Sequence, residues 1–155
     1  MKNPVITPLF EDASSIESLH SAWRQTRRKK GGPGGDGMSI QEFSHGLEAR
    51  LTELSKTLRS GGYHPGPLTR YPIEKTDGGR RWLAIPTVTD RVAQGAFARA
   101  ISEKLDGEMA DASFAYRPGR SVEAAIGRVL TYKLWGFGHV VDADIKSFFL
   151  SLIHI

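Results

Sequence analysis

Ile16, Leu19 and Trp23 recur at helical spacing, and Phe43, Leu47, Leu51, Leu54 and Leu58 step by four, four, three and four along one face. The first stripe predicts a helix that opens on a capping box, Ser14 as N-cap with Glu17 at the third helical position, and runs into a basic block before Gly31. The second predicts one continuous amphipathic helix behind another capping box, Ser39-Ile40-Gln41-Glu42, stopped by Gly61-Gly62. Leu68 to Lys75 and Arg80 to Pro86 are extended runs around Thr76-Asp77-Gly78-Gly79, the pattern of a β-hairpin. Helical spacing returns at Val92, Ala96, Phe97, Ala100, Ile101 and Leu105, with Thr89 placed to cap. Ser113-Phe114-Ala115-Tyr116 reads as a short extended piece. It leads into the turn Arg117-Pro118-Gly119-Arg120 and, capped by Ser121, a helix from Val122 to Leu134.

His139 to Phe149 reads as a short apolar strand with a carboxylate at its end, followed by the aromatic pair Phe148-Phe149. Alternation puts Val140, Asp142 and Asp144 on one face and Val141, Ala143 and Ile145 on the other. A carboxylate at a strand end, beside a backbone carbonyl, suits a hard cation such as Mg²⁺, which takes oxygen ligands and keeps some of its water or binds phosphate. The same pattern also describes a strand end whose acids are merely solvated. No internal repeat and no linker between two domains is visible.

Composition changes this picture in two places. The 155 residues include no cysteine, which excludes disulfides, thiolate nucleophiles and Cys-based zinc sites and fits a reducing cytoplasm. With 39% hydrophobic and 25% charged residues and no apolar run near the roughly twenty needed for a membrane span, a soluble globular domain without a membrane partner is expected. Met1 to Phe10 lacks the apolar segment of a secretory signal.

The formal charge of +4 is modest, but its placement is not even. Arg24, Arg27, Arg28, Lys29 and Lys30 form one block, and Arg70, Lys75, Arg80, Arg81 and Arg91 gather around the hairpin. Clustered cations favour polyanions, because each neutralised phosphate releases counterions. Basic residues at the end of a helix also suit the negative pole of its dipole, so the block has a structural reading beside the nucleic-acid one. The run Gly31-Gly32-Pro33-Gly34-Gly35-Asp36-Gly37 lacks the Gly-Lys-Ser/Thr of a phosphate-binding loop, which leaves it a flexible turn whose amides can lie against a backbone phosphate.

Taken in order, these pieces resemble the N-terminal part of a bacterial reverse transcriptase of the group II intron type. The likeness rests on the Trp23 to Gly37 basic and glycine segment, the Ile73 to Arg81 hairpin, and Ile85-Pro86-Thr87-Val88-Thr89-Asp90-Arg91-Val92-Ala93-Gln94. It continues with Ser113 to Ser121 and with Val141-Asp142-Ala143-Asp144-Ile145-Lys146-Ser147-Phe148-Phe149. The resemblance implies an α+β chain with a partial right-hand polymerase fold: helical fingers with a β-hairpin, then the first palm strand. Residues 1–13 would be a loose lead, 14–137 the fingers and 138–149 the start of the palm.

It also implies roles. Asp144 would be a catalytic ligand of Mg²⁺, with the Ile145 carbonyl as a further metal contact. Lys75 and Arg81 would hold the incoming deoxynucleoside triphosphate, and Phe149 would be the bulky gate that rejects ribonucleotides. Arg24, Arg27, Arg28, Lys29, Lys30, Arg117 and Arg120 would face an RNA template and a DNA or RNA primer, with intron RNA a further partner. The activity implied is RNA-directed DNA synthesis in a bacterial cytoplasm. A maturase-like protein that binds and folds intron RNA is the second reading, and a metal-dependent nuclease finds no supporting cluster of acids and histidines.

After Phe149 the chain departs from the family. Leu150-Ser151-Leu152-Ile153-His154-Ile155 is what the end of a transposase adapter used in library preparation encodes, so 150–155 is expected to be a non-native tail on a fragment. The Tyr-x-Asp-Asp motif and a thumb are missing from the sequence, and the 155 residues are expected to be inactive alone.

Overall fold

The computed structural model describes residues 7–74, 76 and 78–145, which divide into two compact units, Met1–Glu108 and Met109–Ile155. The division falls inside the stretch assigned to the fingers. It follows Gly107, the C-cap of a helix, and no run of Gly, Pro or Ser marks it.

The first unit begins with α1, Pro8–Ala13, where a loose lead is predicted. Thr7 accepts a hydrogen bond from the Phe10 amide and Pro8 opens the first turn with its φ already helical. One turn is too short to show a periodic stripe, so only the cap betrays it. Ala13 is buried and the Phe10 ring lies 5.4 Å from that of Phe97.

α2, Ile16–Arg28, is capped by Ser15 rather than Ser14. Ser14 is itself buried: its hydroxyl donates to the Glu11 carbonyl, and its own carbonyl accepts a 2.6 Å hydrogen bond from Ser55. Ser14 is thus bonded to α1 and to the helix that carries Ser55, and Ser15 takes the capping position of α2.

The capping box at Ser39 and Glu42 forms as expected, the Ser39 amide donating to Glu42 at 2.8 Å and the Glu42 amide to Ser39 at 3.1 Å. The predicted continuous helix behind it is broken into α3, Ile40–Ser44, and α4, Leu47–Arg59. Gly46 sits between them at φ +75°, a left-handed conformation open to glycine, and the break leaves both Phe43 and Leu51 fully buried.

β1, Thr69–Glu74, and β2, Arg80–Ile85, pair antiparallel with Thr69 opposite Ile85 and Glu74 opposite Arg80. α5, Val88–Asp106, follows, and its N-cap is Thr87 instead of Thr89. The core lies where α2, α4 and α5 meet, around Leu19, Trp23, Phe43, Leu51, Leu54, Val88 and Val92. Trp23 and Phe43 rings stand 4.9 Å apart. Each of these large side chains contributes about 1.5–3 kcal/mol by leaving water.

The second unit contains α6, Val122–Leu134, with the predicted bounds and the predicted Ser121 cap. Ser113 and Phe114 belong to no strand and Ala115 and Tyr116 form a turn, Tyr116 having φ +57°, where an extended piece is predicted. Residues 138–145 form no strand. Strand hydrogen bonds run between neighbours, and among the described residues β1 and β2 pair only with each other. The fold is thus a mixture of helices with one two-stranded antiparallel sheet, in keeping with an α+β chain.

Candidate nucleic-acid interface

The arrangement of α2 follows from which of its residues are buried. Ser18, Leu19, Ala22, Trp23 and Thr26 face the core, so the 100° step of the helix turns Arg24, Arg27 and Arg28 to the opposite side. All three are exposed, as are Lys29 at the C-cap and Lys30. Among the described residues no side chain of this block takes part in a hydrogen bond or ion pair. Arg24, Arg27 and Arg28 border one shallow depression with Ser21 and Gln25, and Arg27 and Lys30 border another with Ser39, Gln41 and Ser44. Hydroxyls and amides beside unpaired cations are the donors that contact phosphate and sugar oxygens.

The glycine segment behind the block is held rather than loose. The Gly35 amide donates to the Pro67 carbonyl at 3.2 Å. A Cβ on Gly34 would lie 2.4 Å from Thr87 Cα and one on Gly35 2.5 Å from the Pro67 oxygen. These glycines let backbone approach backbone, in place of the flexible turn predicted. Arg91 completes the attachment, donating to the Gly32 carbonyl at 2.7 Å and to the Thr87 carbonyl at 3.4 Å. Burial lowers the pKa of its guanidinium, against the opposing effect of Asp36.

Asp90, 3% exposed, ties the start of α5 to the segment before the hairpin. Its carboxylate accepts from the Tyr63 hydroxyl, from the Gly66 amide at 3.1 Å and from the Thr87 hydroxyl at 2.7 Å. Burial pushes this carboxyl up, but the hydrogen bonds from Tyr63, Thr87 and Gly66 outweigh it and hold the group below its ordinary value. Tyr63 is pushed up by burial and by the same carboxylate. Arg99 makes a second tie, donating to Ser21 and, at 3.1 Å, to Ser18 on α2. Sequence reasoning assigned none of Tyr63, Asp90 and Arg99 a role. Thr87 with Asp90 three positions on is a capping pattern that was available to it.

On the hairpin, Arg81 lies opposite Ile73 and shares a face with Tyr71 and Leu83, while Arg80 shares the other with Trp82, which is 65% exposed. Arg81 itself is exposed. Lys75, its expected companion in a triphosphate clamp, lies outside the described residues, as does the expected sugar gate Phe149.

In the second unit Arg117 donates to the carbonyls of Ala110 at 2.9 Å and Ser113 at 3.1 Å. Arg120 donates to the Asp111 carbonyl at 3.1 Å, pairs with the Asp111 carboxylate at 3.3 Å and lies over the Phe114 ring. Both guanidiniums therefore brace the loop before α6. Asp144 and Ile145 are exposed. Among the described residues no group of three or more His, Asp or Glu side chains comes together to hold a metal ion. One carboxylate and one carbonyl would supply part of the oxygen shell of Mg²⁺, an ion that completes its shell with water and phosphate, so this pair fits a partial site. None of the described helices is long and apolar enough to cross a membrane.

No family model matches the chain. Among curated proteins it is 34% identical over 145 residues to Protein YkfC of Escherichia coli (strain K12), an alignment covering 89% of this chain and 38% of that one. It is 29% identical over 109 residues to the group II intron-encoded protein LtrA of Lactococcus lactis subsp. cremoris, covering 70% of this chain and 18% of LtrA. To an uncharacterized 91 kDa protein in the cob intron of Schizosaccharomyces pombe it is 29% identical over 119 residues, 77% of this chain and 14% of the other. The chain spans at most 38% of the length of these relatives.

Proposed function

We propose that this chain, a homologue of group II intron-encoded proteins over most of its length, supplies the RNA-gripping fingers and the start of the palm of an RNA-directed DNA polymerase. The observation that carries the reading is the face of α2 where Arg24, Arg27 and Arg28 stand exposed, opposite the buried side and without partners among the described residues. An RNA backbone meets there, and sequence is copied by base pairing rather than read by side chains.

In this reading the template and primer lie along the α2 cations, and intron RNA is a partner of the same surface. Arg81, with Lys75, holds the triphosphate of the incoming deoxynucleotide, and Phe149 excludes a 2′-hydroxyl. Asp144 and the Ile145 carbonyl give oxygens to a Mg²⁺ site whose remaining donors come from elsewhere in the complete polymerase. Mg²⁺ there would screen the charge on the reacting phosphates. The chain's own part is to position RNA and nucleotide, and alone it binds RNA without extending a primer.

The test is fluorescence anisotropy of the 155-residue chain with a primed RNA, alongside primer extension by the complete polymerase and its Asp144→Asn variant. The expected outcome is salt-dependent binding by the chain, and extension that vanishes in the variant while binding stays. Absence of RNA binding, or extension that survives Asp144→Asn, would refute the proposal.

A further inference from the structure

A cleft beside the cationic face has no role in the assignments above. It measures about 470 Å³ and opens between the C-terminal half of α2, the glycine segment and the first turns of α5, a size within the roughly 300–1,000 Å³ of small-ligand pockets. Its inner surface is made where α2 and α5 pack through small residues. A Cβ built on Gly95 would lie 3.4 Å from the Ala22 Cβ, and Ala98 continues that surface along α5. No side chain larger than a methyl group rises from this part of the wall.

Apart from Ile85 and the two glycines, the rest of the lining is polar. Gln25 and Gln94 each present an amide that both donates and accepts. Lys29 and Arg91 line the cleft together with Gly31 and Gly32. Arg91 has contacts committed to the Gly32 and Thr87 carbonyls, so it acts as a fixed charge, and Lys29 is the ammonium left to bind an anion. A smooth apolar wall, paired amides and a free ammonium together match a flat heterocycle with hydrogen-bonding edges and an attached phosphate.

Resting on the reading that this chain binds RNA, we propose that the cleft takes one unpaired nucleotide of that RNA. Its base lies on the Ala22, Gly95 and Ala98 wall with its edge toward Gln25 and Gln94, and its phosphate is held by Lys29. The strand on the Arg24, Arg27 and Arg28 face would thus be held at one nucleotide by shape and hydrogen bonds, and elsewhere by charge.

The experiment uses the 155-residue chain and a set of short single-stranded RNAs identical except for one abasic residue moved along the sequence, with binding followed by anisotropy. One abasic position is expected to weaken binding at least about fivefold, the low end for a bidentate contact to a base. Gln94→Leu, with its fold checked by circular dichroism, is expected to remove that penalty and leave the salt dependence unchanged. Equal affinity for every abasic RNA and the intact one, or a penalty that persists in Gln94→Leu, would overturn the nucleotide cleft while leaving RNA binding in place. Failure to bind even the intact RNA would overturn both readings, and so the two failures are distinct.

Discussion

Tyr63 donates its hydroxyl to the carboxylate of Asp90, 27 positions further along the chain, and so fastens the segment before the hairpin to the first turn of α5. Gly66 and Thr87 donate to the same carboxylate. Asp90 belongs to the stretch that resembles the polymerase family, yet its surroundings give it a structural duty. It ties the segment before the hairpin to the start of α5.

Asp90→Ala should therefore cost roughly 2–4 kcal/mol in urea unfolding followed by tryptophan fluorescence, since it strands buried donors from Tyr63, Gly66 and Thr87. A loss below about 0.5 kcal/mol, the range of ordinary surface changes, would show that the network carries no load.

The pH dependence has a definite sign. The folded carboxyl of Asp90 titrates below its ordinary value, so its contribution is complete above about pH 4 and is lost as pH falls through the lower folded value. The difference in unfolding free energy between the native chain and Asp90→Asn should hold steady near neutrality and shrink under acid. Tyr63 is shifted the other way. Its contribution is complete below about pH 10 and fades as pH rises further, and Tyr63→Phe should flatten that alkaline decline.

Gly34→Ala should lower stability by about 1–3 kcal/mol, because the added methyl would meet Thr87 Cα at 2.4 Å and the Pro86 oxygen at 2.6 Å. Gly32→Ala meets nothing within 4 Å and should leave the melting temperature almost unchanged. Equal melting temperatures for the two variants would mean that the glycine segment is not packed against the base of the hairpin.

Replacing Arg24, Arg27 and Arg28 together by glutamine should leave circular dichroism and the melting curve intact, since none of them has a partner among the described residues. The slope of log affinity against log salt for single-stranded RNA should fall by about 0.7 per residue removed. Arg117→Ala should do the reverse. It should cost about 1 kcal/mol of stability through the carbonyls of Ala110 and Ser113 that it braces, with a smaller change in the salt slope. An unaltered slope in the triple variant would remove α2 from the RNA surface.

Much of this architecture was legible one turn at a time. The Ser39 and Glu42 box, the hairpin around Thr76 to Gly79 and the bounds of α6 involve partners three or four positions apart, or strands joined by a short turn. Such contacts form from neighbouring residue types alone. The basic block was equally plain, since charge needs no fold to be counted. The exposure of Arg24, Arg27 and Arg28 opposite the buried side of α2 also follows from helical spacing once Leu19, Ala22 and Trp23 are known to be inside.

By itself, then, the sequence determined α2, α5, α6, the hairpin and the cationic stripe, because local hydrogen bonding and periodic burial decide those, but not α1 or the break at Gly46. Tertiary structure alone decided that Ser14 serves α1 and α4 instead of capping α2, that Gly34 lies against Thr87, and that Asp90 collects Tyr63 and Gly66. Each depends on backbone and side chains brought together from distant positions, and no periodicity encodes which carbonyl or hydroxyl will arrive. A buried polar group takes the partner that packing delivers, and that partner becomes known only when the helices meet.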